Sequence, residues 1–180
     1  VYIVRYAVLD WGPTLLGEWK GVSIHHAGWM VAAFEISGIV GMLVAGWATD
    51  RFFGGRGPRV CVICMALATV FVALFWGISQ PPMWLATLLL GAAGFCIYGP
   101  QALVGIAAAN IATKKAAATA VGFTGLFGYA STLVSGWGLG LLAQHYGWNI
   151  AVGALILIAI MGTLIFMAAW SAKANGYDND

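Results

Sequence analysis

An arginine and a tyrosine near the start of the chain are the residues best suited to bind an anion. Arg5 lies in the apolar stretch VYIVRYAVLD, and Tyr2 precedes it by three positions, so on a helix the two side chains share roughly one face. A guanidinium can donate two parallel hydrogen bonds to a phosphate or carboxylate group. The pair therefore favours an oxyanion ligand. The alternative is that Arg5 only extends towards water at the end of its helix.

Other polar side chains could join Arg5 in one cavity. Tyr98 and Gln101 flank Gly99-Pro100 in the stretch IYGPQAL, and this pair is expected to interrupt its helix. Tyr129 follows a glycine-rich run and supplies another hydroxyl group. For any one of these tyrosines, a hydrogen bond to a neighbouring helix explains its place in an apolar stretch as well as a role in a cavity does. The predicted ligand-binding residues are Tyr2, Arg5, Tyr98, Gln101 and Tyr129.

Two acidic residues, Asp10 and Glu35, also lie in apolar stretches. On an ideal helix Asp10 is rotated by about 140° from Arg5, so the two are not expected to pair. We expect each acid to meet a basic partner on another helix, in ion pairs that form and break during gating. A proton-binding role for Glu35 is the alternative.

The sequence offers little for metal, cofactor or nucleic-acid binding. Cys61 and Cys64 share one face of an apolar helix, and Cys96 lies elsewhere, without the further ligands that a zinc site needs. The glycines at 136, 138 and 140 follow no strand, so they do not form a dinucleotide fingerprint. We expect no metal, no cofactor, no nucleic-acid partner and no enzymatic activity.

The elements that must position these residues are membrane helices. Hydrophobic residues make up 62% of the 180 positions and charged residues only 8%, too few charges for the surface of a soluble domain. Apolar runs of about 20 residues recur, the length that crosses a bilayer core. The fold class is an all-α membrane protein. The predicted spans are 1–16, 27–49, 60–79, 83–111, 117–144 and 149–171.

Basic residues are distributed unequally between the connections. Three alternate connections carry one lysine among them, whereas the other connections and the tail at 172–180 carry six basic residues. Such an excess marks the cytoplasmic side, so the C-terminus is predicted to be cytoplasmic. The six residues are Arg51, Arg56, Arg59, Lys114, Lys115 and Lys173.

The loop GWATDRFFGGRGPR, residues 46–59, resembles a signature of the major facilitator superfamily. In that superfamily it lies between the second and third helices of each six-helix half, as it does here. The residues that match are Gly46, Asp50, Arg51 and Arg56.

The stretch RYAVLDWGPT, together with the one from Tyr98 to Ser131, is similar to the C-terminal half of the organophosphate:phosphate antiporters. This resemblance implies that residues 1–171 form one six-helix half of a twelve-helix transporter in a bacterial inner membrane, with the N-terminal half as partner. It implies that Arg5 binds phosphate, that the three tyrosines line the cavity, and that Asp10 and Glu35 pair with a basic residue of the N-terminal half. The sequence departs from the family pattern at Asn110, where relatives often carry an acid.

The function implied is exchange of an organic phosphate, such as glycerol 3-phosphate or a sugar phosphate, for inorganic phosphate by alternating access. The chain begins inside an apolar helix, so we expect a fragment that does not transport alone. Two alternatives are a transporter-like membrane sensor of hexose phosphate and a proton-coupled symporter in which Glu35 or Asp10 titrates.

Overall fold

All regular secondary structure in the computed structural model is helical over the residues that it describes, 1–112 and 115–171. Lys114 and the predicted tail at 172–180 lie outside the described residues. The all-α prediction is therefore confirmed for this part of the chain. The elements are α1 (Tyr2–Lys20), α2 (Ile24–Phe53), α3 (Gly57–Gly77), α4 (Met83–Ile111), α5 (Ala117–Leu133), a π-helical segment (Val134–Gly138) and α6 (Leu139–Ala168).

Among the described residues, four helical segments are long and apolar enough to cross a membrane, which makes the chain a multi-pass membrane protein. They are Ile24–Phe53, Gly57–Gly77, Met83–Asn110 and Ala117–Ala168.

The last of these segments has 52 residues, and a straight helix of that length would extend about 78 Å, more than twice the bilayer core. At Gly147, however, the backbone leaves the helical region, with φ 81° and ψ 164°. This break lies within the connection predicted between the fifth and sixth spans. The shorter and more charged α1 is not among the four segments, so six spans stay a prediction.

Two prolines lie inside helices without ending them. The prediction that Gly99-Pro100 interrupts its helix is wrong, because α4 continues to Ile111, and α1 likewise continues past Pro13. The fixed φ of proline is compatible with a helix, although one backbone hydrogen bond is lost. Pro100 is fully buried, and the Gly99 backbone lies against Ala45 of α2. Packing thus keeps α4 helical at this point.

The helices α2 and α4 approach each other backbone to backbone because glycines remove the side chains between them. Gly41 lies against the Phe95 carbonyl group and Gly94 against the Phe34 carbonyl group, so that a Cβ atom on either glycine would overlap the opposite oxygen. We call this contact, at Ser37 and Gly41 of α2 and Gly91 and Gly94 of α4, the α2–α4 seam. Gly94 thus allows another helix to approach closely, as small residues in membrane helices often do.

Candidate functional site

Arg5 of α1 meets Glu35 of α2 and Tyr98 of α4. The Arg5 Nη2 atom lies 3.3 Å from Glu35 Oε2, and these two side chains keep 19% and 29% of their surface exposed. The Arg5 Cζ atom lies 4.2 Å from the centre of the Tyr98 ring, within range of a cation–π interaction. A partly exposed cation is thus held among three helices, where a ligand can reach it. We call Arg5, Glu35 and Tyr98, together with Gln101 one turn after Tyr98 on α4, the Arg5 cluster.

The α2–α4 seam fixes the position of Tyr98. The ring packs flat on the backbone of Gly38, where a Cβ atom would overlap it. Its edge meets the ring of Phe34, with the ring centres 6.2 Å apart. Since Phe34 directly precedes Glu35, the same close contact positions both the carboxylate and the phenol that face Arg5.

Four buried polar atoms of the Arg5 cluster have no hydrogen-bond partner among the described residues. They are Arg5 Nε, Glu35 Oε1, Tyr98 Oη and Gln101 Oε1. Buried polar groups in folded proteins are nearly always hydrogen-bonded. The cluster therefore has unused donors and acceptors, as expected of a site that binds a polar ligand carrying both kinds of group.

Two tyrosines of α1 extend the site towards α5. Tyr2 and Tyr6 stack with their ring centres 6.3 Å apart, and the Tyr6 ring centre lies 5.5 Å from Arg5 Cζ. Tyr2 also packs against the backbone of Gly128 in α5, and it lines a cavity of about 420 Å³ between α1, α4 and α5. Sequence analysis missed Tyr6, although its separation of four residues from Tyr2 predicts such a contact on a helix.

Two predicted site residues lie outside the cluster. Asp10 is exposed, and the Tyr129 side chain is 65% exposed; among the described residues, neither takes part in the ion pair of the cluster. Glu35 does have a basic partner on another helix, as expected. That partner is Arg5 of this chain. A pairing with a basic residue of the N-terminal half, which the family resemblance implied, stays a prediction.

The loop motif, residues 46–59, forms the end of α2, the turn after it and the start of α3. Arg51 lies in the last turn of α2, where a positive charge is favourable, and Gly54 and Gly55 adopt positive φ values of 56° and 77°. Arg56 then precedes the first residue of α3. Asp50 and Arg51 are exposed; within the described part of the chain, neither is recorded in an ion pair.

Comparison with known proteins agrees with the resemblance. The family model described as Major Facilitator Superfamily matches residues 4–176. The "Probable hexose phosphate transport protein" of Chlamydia pneumoniae is 39% identical, over 96% of this chain and 38% of the relative. The "Glycerol-3-phosphate transporter" of Haemophilus influenzae is 35% identical, over 97% of this chain and 40% of the relative.

A third relative has a different kind of name. The "Membrane sensor protein UhpC" of Salmonella typhimurium is 34% identical, over 97% of this chain and 39% of the relative. Together these names are consistent with the organophosphate:phosphate antiporter group. The chain spans about two fifths of the length of each of these relatives.

Proposed function

Since this chain belongs to the major facilitator superfamily, we propose that it is the C-terminal six-helix half of a transporter of organic phosphates. The observation that carries the proposal is the Arg5 cluster, in which a partly exposed guanidinium lies beside buried polar atoms that have no hydrogen-bond partner in the described part of the chain. The twelve-helix protein would lie in a bacterial inner membrane, with its basic loops and C-terminus on the cytoplasmic side.

The donor and acceptor atoms of the cluster that lack a described hydrogen-bond partner could bind a phosphate ester that also carries hydroxyl groups. Phosphate oxygens accept hydrogen bonds from the Arg5 guanidinium and from the Tyr98 hydroxyl, whereas hydroxyl groups of the organic moiety donate to Gln101 and Glu35. Glycerol 3-phosphate and hexose phosphates combine both features. The names of two relatives point to the same substrates.

Phosphate binding would also change the ion pair. An anion that binds Arg5 competes with Glu35 for the same guanidinium, so the ion pair opens as the ligand enters. A basic residue of the N-terminal half would approach the same phosphate from the other side, and the bound charge would offset the repulsion between the two cations. The two halves can then rock around the occupied site and exchange organic phosphate for inorganic phosphate.

The sensor is the second candidate, because a relative with that name is 34% identical over nearly the whole chain. It would use the same cluster to bind hexose phosphate without net flux. Proton-coupled symport is the third candidate, since Glu35 Oε1 has no hydrogen-bond partner among the described residues and can accept a proton.

The test uses the full-length protein in liposomes loaded with labelled phosphate. Efflux is followed after addition of phosphate, glycerol 3-phosphate or glucose 6-phosphate outside. Arg5→Lys keeps the charge but loses the guanidinium fork, so we expect exchange to fall at least about tenfold. Lys115→Arg, at an exposed basic residue outside both the cluster and the loop motif, is the control and should leave exchange unchanged.

Each candidate gives a different result. Efflux that requires an external substrate and depends on Arg5 supports exchange. Saturable sugar-phosphate binding without flux, lost in Arg5→Lys, supports the sensor. Uptake that follows the pH gradient without phosphate efflux supports symport. If neither binding nor flux depends on Arg5, the proposed site is wrong.

A further inference from the structure

A second arginine, Arg59, lies outside the Arg5 cluster and is positioned to bind a different phosphate group. Arg59 lies in the first turn of α3, and its Cζ atom lies 5.4 Å from the centre of the Trp170 ring, just beyond the end of α6. The Arg59 Nε atom is buried and has no hydrogen-bond partner in the described part of the chain. The aromatic ring thus orients a guanidinium whose hydrogen-bonding capacity is not used up.

Arg59 forms no ion pair with another residue that the structure describes. Arg56 lies three positions earlier, directly before α3, and the first turn of α3 contains no acidic residue. Both arginines therefore lie at the positive end of the helix dipole. No ion pair of either arginine is recorded within residues 1–112 and 115–171. A phosphate group bound here would relieve this electrostatic cost.

Apolar side chains continue from this point along the bilayer. On α6 the exposed side chains Ile160, Leu164 and Met167 follow one another at helical spacing and lead to Trp170. One turn beyond Arg59 a second row begins on the neighbouring α3. Its exposed members are Ile63, Leu67, Val70 and Leu74, which keep 41%, 44%, 51% and 48% of their surface exposed.

We propose that Arg59 and Trp170 form a binding site for the phosphate group of an anionic membrane lipid. The headgroup phosphate accepts hydrogen bonds from the Arg59 guanidinium, and Trp170 lies at the level of the headgroups, where tryptophan is favoured. The acyl chains cover the two exposed apolar rows. A free phosphate ion would use the arginine alone, whereas a lipid matches the arginine and the apolar rows together. This proposal does not depend on the role of Arg5.

The test is lipid retention by the full-length protein in detergent, followed by native mass spectrometry. Phosphatidylglycerol and phosphatidylcholine with the same acyl chains are compared, with and without excess inorganic phosphate. We expect phosphatidylglycerol to be retained in preference and Arg59→Gln to weaken its binding by roughly tenfold, as expected for loss of a charge-assisted hydrogen bond. Arg51→Gln removes the same charge from an exposed position in the same loop and should change binding by less than about twofold.

A second variant covers the possibility that Arg59→Gln does not fold. Trp170→Leu keeps every charge, and it should still weaken retention by a few-fold because the guanidinium loses its aromatic contact. Equal losses in the Arg51 and Arg59 variants would show attraction by net charge and overturn the site. Displacement of the lipid by inorganic phosphate would make it a free-anion site, and absence of retained lipid in the unmodified protein would also overturn the proposal.

Discussion

Glycine has opposite consequences in two helix pairs of this bundle. At the α2–α4 seam, Gly41 and Gly94 bring backbones into direct contact, and a Cβ atom at either position would overlap a carbonyl oxygen. In α5, Gly122 and Gly125 face open space among the described residues, and at Gly128 the Tyr2 ring of α1 lies against the α5 backbone. The first contact joins two backbones directly, whereas the second places an aromatic side chain between the helices.

The Arg5 cluster spans both kinds of contact. Glu35 and Tyr98 belong to the α2–α4 pair, whereas Arg5 belongs to α1, whose Tyr2 also touches α5. In the rocking movement proposed above, a shift of α1 relative to α2 and α4 would open the Arg5–Glu35 ion pair. The comparison predicts that changes in the seam affect stability and that changes around Arg5 affect binding.

The largest expected effect is that of Gly41→Ala. The new Cβ atom would overlap the Phe95 carbonyl oxygen, which is backbone and cannot rotate away, so we expect a loss of about 3 kcal/mol in unfolding free energy. The matched control is Gly125→Ala, which meets no atom within 4 Å and should be neutral or stabilising by up to about 1 kcal/mol. Thermal unfolding of the full-length protein in detergent measures both. Similar stability in the two variants would remove the distinction between the contacts.

Tyr98→Phe should affect binding and leave stability unchanged. The hydroxyl has no partner among the described residues, so its removal should change the unfolding free energy by less than about 0.5 kcal/mol. If the hydroxyl binds the ligand, glycerol 3-phosphate affinity should fall about tenfold, as measured by calorimetry. Tyr146→Phe, at a tyrosine that is 66% exposed, is the control. A loss of stability at unchanged affinity would assign the hydroxyl to packing.

Glu35→Gln should increase the affinity for inorganic phosphate. The variant removes the carboxylate that competes for Arg5, and a partly exposed ion pair contributes up to about 1 kcal/mol, which corresponds to roughly fivefold tighter binding. Inorganic phosphate is the appropriate ligand because it has no organic hydroxyl group that could bind residue 35 directly. Glu18→Gln, at an exposed carboxylate near the opposite end of α1, should have no effect. Weaker binding in Glu35→Gln would instead indicate that the carboxylate supports ligand binding.

The sequence was sufficient for features that depend on one segment alone. The fourth predicted span has the same bounds as α4, because a long apolar run between turn residues determines a membrane helix without reference to its neighbours. The close approach at Gly94 was also predictable, since small residues in such helices usually face another helix. Gly122 and Gly125 have a similar spacing but meet no atom of another helix in the described part of the chain, because the pattern does not say which glycine has a neighbour there.

Features that depend on how helices pack could not be predicted. Glu35 lies 30 positions from Arg5, and their pairing depends on which faces of α1 and α2 meet. The continuation of α4 through Pro100 depends on burial among neighbouring helices. The local signal of Gly-Pro favours a break, and packing overrides it.

The smallest expected effect is that of Ser37→Ala, which separates shape from hydrogen bonding at the seam. Ser37 Oγ donates to the Gly91 carbonyl oxygen at 2.7 Å, and such bonds between membrane helices contribute about 0.6 kcal/mol on average. Thr124→Ala, which removes a hydroxyl bonded within α5 itself, is the control and should cost less in the same unfolding measurement. A cost of about 0.6 kcal/mol for Ser37→Ala beside a several-fold larger cost for Gly41→Ala would show that backbone fit holds the seam. Equal losses of unfolding free energy in Ser37→Ala and Gly41→Ala would mean that the hydrogen bond, and not the absence of side chains, holds α2 and α4 together.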